Sequence, residues 1–163
     1  MNPRDKSRPA AFAERLSVAQ VEEGTVLAPK FGPDGFVPVV TTDAASGEVF
    51  MIGVMTAEAL LRTIETGEAH YWSRSRNSLW HKGATSGLVQ KVVEIRIDDD
   101  QDAVWLRVVV AGGASCHVGY PSCFYRAVDT SAPTEPVTLS FKEAGKVFDP
   151  SQVYGDAPNP TRL

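Results

Sequence analysis

The spacing of apolar residues predicts a chain made mostly of β-strands. From Thr25 to Met55, runs rich in β-branched residues alternate with Gly-Pro-Asp-Gly and Ala-Ser-Gly turns, a pattern typical of strand, turn, strand. The segments LVQKVVEIRI and AVWLRVVVAGG flank a cluster of aspartates, and together they predict a hairpin with the aspartates at its turn. Further short strands are predicted in ASCHVGYPSCFYRAV and PVTLSFKEAGKVF.

One segment has clear helical periodicity. Thr56 can cap its start, Leu60, Leu61 and Ile64 follow helical spacing, and Gly67 can end it. The stretch AAFAERLSVAQVEEG predicts a second, short amphipathic helix. By contrast, HYWSRSRNSLWHKGATSG is aromatic, basic and without a clear period, so we interpret it as a functional loop region.

These elements indicate a mainly β (α+β) chain with one or two helices. A length of 163 residues fits a single domain with a hydrophobic core. We expect an N-terminal arm over residues 1–20, one domain over residues 21–154, and a proline-rich tail over residues 155–163 that is loose at its end.

Composition limits the possible partners. The chain is 43% hydrophobic and 22% charged, which is ordinary for a globular protein. Its net charge of −4 provides no overall basic field for nucleic acid or an anionic membrane, so any phosphate site must be local. No stretch resembles a secretion signal or the ~18 apolar residues of a membrane span. We therefore expect a cytoplasmic protein.

The aspartate cluster has the spacing of a metal site. In an extended chain Asp98, Asp100 and Asp102 share one face, while Asp99 and Gln101 point to the other. Carboxylates held this close repel one another, and a hard cation such as Mg²⁺ relieves the repulsion. The pattern therefore predicts three magnesium ligands.

Two other interpretations of this cluster can be weighed. An EF-hand is excluded, because its glycine position is Ala103 and its bidentate glutamate position is Val109. A solvated acidic hairpin tip remains open from the residues alone.

The sequence CHVGYPSC offers soft ligands. Cys116 and Cys123 suit Zn²⁺, but a catalytic zinc usually has three protein ligands, so a third must come from elsewhere. The alternative is that both cysteines are small buried hydrophobes. His117 or His70 could transfer a proton, since an imidazole titrates near neutrality; a structural role for His117 is equally open.

The aromatic and basic segment suits a phosphorylated, aromatic ligand. Guanidinium and ammonium groups bind phosphate, hydroxyl groups add hydrogen bonds, and the rings of Tyr71, Trp72 or Trp80 could stack on a base. The alternative is a basic surface loop with its aromatic residues in the core. The predicted substrate-binding residues are Arg74, Arg76, Lys82, Ser73, Thr85 and Ser86.

Four motifs in this order, GEAHYWSRSR, LWHKGATSG, DDDQD and CHVGYPSCFYR, resemble the phosphoribosyl-AMP cyclohydrolase family of histidine biosynthesis. The resemblance runs from about Val21 to about Tyr154. It implies an intertwined homodimer of mainly β pseudobarrels with active sites at the subunit interface. It also implies hydrolysis of the N1–C6 bond of the adenine ring of phosphoribosyl-AMP, which gives the ring-opened formimino-imidazole carboxamide ribotide.

The resemblance also implies the metals. The family motif D-C-D-x-D provides Mg²⁺ ligands that match Asp98, Asp100 and Asp102. Zinc is held by three cysteines, two of which match Cys116 and Cys123. The third comes from the partner subunit, at the middle of D-C-D-x-D.

This chain departs from the family pattern at three places. The middle position of D-C-D-x-D is Asp99, Ala84 stands where the family commonly has glutamate, and Tyr120 and Pro121 stand where it commonly has basic residues. Two alternative functions therefore stay open. One is a paralogous metal-dependent hydrolase acting on another purine-like or cyclic amidine substrate, and the other is a non-catalytic metal-binding dimer.

Overall fold

A computed structural model describes residues 12–131 and 135–163. The described chain is mainly β with three short helices, as expected for the α+β class. The strands are β1 (Val37–Asp43), β2 (Val49–Met55), β3 (His70–Ser73), β4 (Ser78–His81), β5 (Gln90–Ile97), β6 (Val104–Val110), β7 (Arg126–Val128) and β8 (Leu139–Phe141), and the helices are α1 (Val18–Glu23), α2 (Ala57–Thr66) and α3 (Pro150–Tyr154).

The main sheet consists of two hairpins placed side by side. Its strand order is β2-β1-β6-β5, and two separate two-stranded sheets pair β3 with β4 and β7 with β8. Within the main sheet β1–β2 and β5–β6 are antiparallel, whereas β1 and β6 run parallel. Both predicted hairpins are confirmed, the first around Ala-Ser-Gly and the second around the aspartates.

The register of the main sheet gives it two distinct ends. At one end Val39 lies opposite Val104, directly after the aspartate turn. At the other end Thr42 lies opposite Val49, and Gln90 lies opposite Val110. Because β6 has seven residues at about 3.3 Å each, these ends are about 20 Å apart.

Helix α2 forms as its sequence predicts. The Thr56 side chain accepts a hydrogen bond from the Ala59 N–H at 3.1 Å, and Gly67 ends the helix with a φ of 68°, which suits a residue without a side chain. Ala59 and Leu60 are buried, so this face of α2 packs on the core.

The N-terminal segment is only partly as expected. Residues 1–11 of the predicted arm lie outside the described residues. Phe12 is 7% exposed and belongs to the core cluster, so the described part of the segment packs on the domain. The predicted second helix is limited to α1, where Ser17 caps its start. The division of the chain into arm, domain and tail stays a prediction.

Two sequence predictions are wrong in detail. HYWSRSRNSLWH is a β-hairpin instead of a loop, with His70 opposite His81 and Ser73 opposite Ser78, so only the residues after it form a loop. Residues 25–36 form no strand, and the first strand begins at Val37. Helix α3, whose start is capped by Asp149, ends the predicted domain and precedes the predicted tail.

No helix among the described residues is both long enough and apolar enough to cross a bilayer.

Candidate active site

The aspartate turn brings three carboxylates together by a different route from the one predicted. Strand β5 ends at Ile97 and the chain turns, with Gln101 at a φ of 58°, so the segment is not extended. The carboxylate oxygens of Asp98, Asp100 and Asp102 nevertheless lie within 4.8 Å of one another. The predicted grouping is confirmed as geometry, while the strand argument behind it is wrong.

The electrostatics of this group suit a hard cation. One oxygen of Asp98 accepts hydrogen bonds from the N–H groups of Asp102 and Ala103 at 2.9 and 3.0 Å. Desolvation and then the neighbouring Asp100 and Asp98 carboxylates raise the pKa of Asp102. A bound Mg²⁺ would relieve that repulsion with oxygen ligands, which it prefers, so the residues fit the ion.

The two cysteines are held by a tight loop at the other end of the sheet. The Cys116 N–H donates to the Tyr120 carbonyl at 3.1 Å, and the Ser115 N–H donates to the Pro121 carbonyl at 3.1 Å. The Cys123 N–H donates to the Phe50 carbonyl of β2 at 2.8 Å. These bonds fold the residues between the cysteines back on themselves and bring the two thiols together.

The thiols have very different acidities. A hydrogen bond from the Cys123 thiol, helped by the Val118 N–H and the Lys82 ammonium, lowers the pKa of Cys116 to about 6. Hydrogen bonding to Cys116 and burial raise the pKa of Cys123. At neutral pH the pair therefore holds one thiolate and one thiol, and the thiolate is the form that binds zinc.

This asymmetry predicts a titration of metal-free protein. As pH rises through about 6, the ultraviolet absorbance of one thiolate per chain should appear, because the pKa of Cys116 is lowered to that value, while Cys123 stays protonated. Cys123→Ala removes the main hydrogen-bond donor, so the same absorbance should appear at higher pH. An unchanged midpoint in Cys123→Ala would contradict the pairing.

His117, next to the thiolate, has the properties of a proton acceptor. Its Nε2 is buried and has no hydrogen-bond partner among the described residues. Burial and the Lys82 charge lower the pKa of His117, while a hydrogen bond with Asn159 opposes this shift. The ring is therefore neutral at neutral pH, and a buried unpaired nitrogen calls for a partner such as a ligand or water.

The contacts of His70 differ from those of His117. Its ring stacks on that of His81, with centroids 4.4 Å apart, and its Nδ1 lies 2.8 Å from the Glu68 carbonyl. The Nε2 of His81 lies 2.7 Å from the Glu68 carboxylate. These contacts fix His70 in the β3–β4 hairpin, and none of them involves a cysteine.

Lys82 belongs to the thiol end of the molecule. It is 3% exposed, and its Nζ lies 5.2 Å from the centre of the Trp80 ring. Burial lowers the pKa of Lys82, while Cys123 and Cys116 oppose that change. After it, Gly83 has a φ of 90°, and a Cβ there would lie 2.3 Å from the Val89 nitrogen, so this loop requires glycine.

The other predicted substrate ligands lie around the β3–β4 turn and the glycine loop. Arg74 and Thr85 are exposed, and Ser86 is half-buried. Arg76 lies with its guanidinium 5.2 Å from the Trp80 ring centre, and its Nε donates to the buried Ser73 hydroxyl at 3.2 Å. Ser73 therefore orients Arg76.

A buried polar network was missed by the sequence reasoning. The Tyr71 hydroxyl lies 2.6 Å from the Thr41 hydroxyl and donates to the Gln90 carbonyl oxygen at 2.6 Å. The Gln90 amide donates to the Ser115 hydroxyl at 2.7 Å, next to Cys116. Tyr71 is fully buried, so it cannot stack on a base as expected.

The two ligand groups of one chain lie at opposite ends of the main sheet. The aspartate turn follows β5 and precedes β6, whereas Cys123 is bonded to β2 beside Val49. Among described residues the aspartates form the one group of three His, Cys, Asp or Glu ligand atoms this close together. Among the described residues, the two thiols have no third His, Cys, Asp or Glu ligand atom within the same distance.

The C-terminal tail contacts the same region. The Arg162 guanidinium donates to the Ser75 carbonyl of the β3–β4 turn at 3.0 Å, and Asn159 hydrogen-bonds the His117 ring. Part of the predicted loose tail thus contacts two of the motifs.

Comparison with known proteins identifies the family. The sequence profile of the family described as phosphoribosyl-AMP cyclohydrolase matches residues 51–125. A protein of that name from Rhodopseudomonas palustris (strain HaA2) is 58% identical over 90% of this chain and 98% of its own length. A protein of the same name from Sinorhizobium fredii (strain NBRC 101917 / NGR234) is 52% identical over 85% of this chain and 90% of its own length. Another, from Nitrobacter hamburgensis (strain DSM 10229 / NCIMB 13809 / X14), is 49% identical over 91% of this chain and 97% of its own length. The chain therefore belongs to the phosphoribosyl-AMP cyclohydrolase family.

Proposed function

We propose that this protein hydrolyses the N1–C6 bond of the adenine ring of phosphoribosyl-AMP in histidine biosynthesis. The observation that carries the proposal is the pairing, within a family member, of a two-thiol site and a three-carboxylate site on one chain. Thiolates suit zinc and carboxylates suit magnesium, so one fold offers both kinds of ligand.

The active site is shared between two subunits of a homodimer. Because the thiols lie towards the opposite end of the main sheet from the aspartate turn of their own chain, the thiol pair that Asp99 reaches belongs to another chain. Exposed apolar side chains favour such an assembly, since a protein that acts as a monomer rarely leaves many of them in water. They include Ile52, Phe124, Leu139 and Phe141, each half or more exposed.

The zinc ligands are Cys116, Cys123 and Asp99 of the partner subunit. Zinc accepts a carboxylate oxygen at about 2.0–2.2 Å beside sulfur at about 2.3 Å, and three protein ligands leave one position open. When bound, the zinc supplies an activated water for attack on C6 of the purine. The lowered pKa of Cys116 supplies one ligand already ionised at neutral pH.

His117 accepts the proton from the attacking water through Nε2 and returns it to N1 of the purine as the N1–C6 bond breaks. Its lowered pKa keeps the ring neutral, which a general base requires. Arg74 and Arg76 bind the substrate phosphate with help from Thr85 and Ser86, while Ser73 orients Arg76. The buried Lys82 sets the positive field beside the thiols instead of binding phosphate.

The test is turnover of phosphoribosyl-AMP by purified protein, followed as the absorbance change on ring opening. Metal-free protein should be inactive, and Zn²⁺ together with Mg²⁺ should restore activity. No turnover with any metal, despite stoichiometric binding, would favour the non-catalytic dimer. Turnover of a different purine-like or cyclic amidine substrate in a panel would favour the paralogous hydrolase.

Asp99→Cys tests the shared zinc site. If Asp99 of the partner subunit is the third ligand, a thiolate in its place should tighten zinc binding, because soft ligands suit this ion better. Competition with a chromophoric chelator measures the affinity. Asp99→Asn, which removes the charge at nearly the same size, should weaken binding. Equal affinity in all three proteins would show that Asp99 faces elsewhere.

A further inference from the structure

Gln101 is an unusual residue in the aspartate turn. It is 4% exposed although every residue around it from Asp98 to Asp102 is charged. Its φ is 58°, a left-handed conformation that a residue other than glycine adopts only when its surroundings hold it there. Nothing in the metal chemistry calls for a buried amide at this position.

The side chain of Gln101 bonds to a distant part of the chain. Its carbonyl oxygen accepts the Ala28 N–H at 2.8 Å, and its amide donates to the Val21 carbonyl at 2.9 Å and the Val26 carbonyl at 3.4 Å. Its backbone carbonyl accepts the Lys30 N–H at 2.7 Å. One residue therefore satisfies four polar groups, one in α1 and three in the segment between α1 and β1.

A second tether joins the same two segments. The Arg15 guanidinium donates to the Ala28 carbonyl at 2.6 Å and to the Asp100 carbonyl at 2.8 Å. The backbone of the turn is thus fixed at Asp100 and Gln101. The carboxylate oxygens of Asp98, Asp100 and Asp102 in the same turn lie within 4.8 Å of one another.

We infer that Gln101 is a positioning residue, which holds the turn in the one conformation where the three carboxylates converge. Three like charges within 4.8 Å favour any motion that separates them, so an unanchored turn would open when no cation is bound. The amide resists that opening by bonds to uncharged backbone groups, and a cation then binds without having to order the turn. This inference rests on the proposed magnesium site.

The test is the affinity for Mn²⁺, used as a paramagnetic probe for Mg²⁺, measured by electron paramagnetic resonance on the zinc-loaded protein. Gln101→Gly keeps the left-handed backbone available but removes the amide. We expect its Kd for Mn²⁺ to rise about 10-fold to 100-fold, as for other residues that orient metal ligands. Gln101→Asn, which keeps an amide one methylene shorter, should give a smaller rise.

Asn77→Gly is the matched control. Asn77 is the other described non-glycine residue with positive φ, at 50°, and it is exposed in the β3–β4 turn. This change should leave the Kd for Mn²⁺ as it is in the unmodified protein. Near-ultraviolet circular dichroism identifies a variant that has lost its fold, and Gln101→Asn then carries the comparison.

The outcomes are distinguishable. If the unmodified protein binds no Mn²⁺, or if Asp98→Asn binds Mn²⁺ as tightly as the unmodified protein, the magnesium site itself is wrong and the inference is overturned with it. If the folded variants Gln101→Gly and Gln101→Asn both bind Mn²⁺ with the same Kd as the unmodified protein, only the role of Gln101 is overturned.

Discussion

Cys116→Ala is expected to lower turnover by about 10³-fold. This residue supplies the thiolate of the pair at neutral pH, because its pKa is lowered to about 6. In the proposed zinc site its loss leaves one protonated sulfur and the carboxylate of Asp99. Activation of a water by a metal contributes several kcal/mol to a hydrolysis, and about 4 kcal/mol corresponds to about 10³ in rate.

Zinc content and turnover measured together check this expectation. Metal-free unmodified protein should regain both on adding Zn²⁺ in the presence of Mg²⁺, whereas Cys116→Ala should regain neither. Cys123→Ala should behave similarly, since the loop holds both thiols together. A folded Cys116→Ala protein that keeps turnover within about 10-fold without zinc would contradict the role of the thiols, because that loss is only about 1.4 kcal/mol.

Gln90→Leu is expected to destabilise the fold by about 3 kcal/mol. Gln90 is fully buried, and its side chain bonds to the Tyr71 and Ser115 hydroxyls at 2.6 and 2.7 Å. Leucine fills similar space but leaves both hydroxyls without that partner, at about 1–3 kcal/mol each. For a chain of this size the melting temperature should fall by about 6–12 °C.

Urea unfolding of Gln90→Leu and a control, Gln152→Leu, measures this cost. Gln152 is exposed on α3, so its replacement should change the free energy of unfolding by less than about 0.5 kcal/mol. Tyr71→Phe removes the hydroxyl between Thr41 and Gln90, and a double-mutant cycle with Gln90→Leu gives their coupling. Additive effects would show that the network is not cooperative.

The sequence predicts the elements whose stability is local. Helix α2 has its cap at Thr56 and its end at Gly67, and β5 and β6 flank an obvious turn. The β3–β4 hairpin was missed because three of the four residues of β3 are buried, including the polar His70 and Ser73. In a strand that is covered on both faces, apolar and polar residues do not alternate, so the sequence pattern does not indicate a strand.

In the candidate active site too, the sequence predicts local features and misses those that depend on distant contacts. The three carboxylates and two thiols can be selected by type and spacing within a few residues. Gln101 and Gln90 could not be selected from the sequence, because their hydrogen-bond partners are distant in the chain. The partner of Gln101 is Ala28, and those of Gln90 are Tyr71 and Ser115. The positioning of Lys82 beside the thiols likewise depends on the folded hairpin.

The parallel contact between β1 and β6 has a consequence for how the chain folds. Each hairpin of the main sheet closes over a short turn, but the contact that joins them pairs Thr41 with Leu106. This pairing spans β2, α2, β3, β4 and β5. Such distant pairings form late, because a long loop must close first. We therefore expect the two hairpins to form early and to dock against each other in the slow step. The residues around Cys123 attach to β2 in one hairpin, and the aspartates lie between β5 and β6 in the other, so this docking also sets the thiols relative to the aspartates.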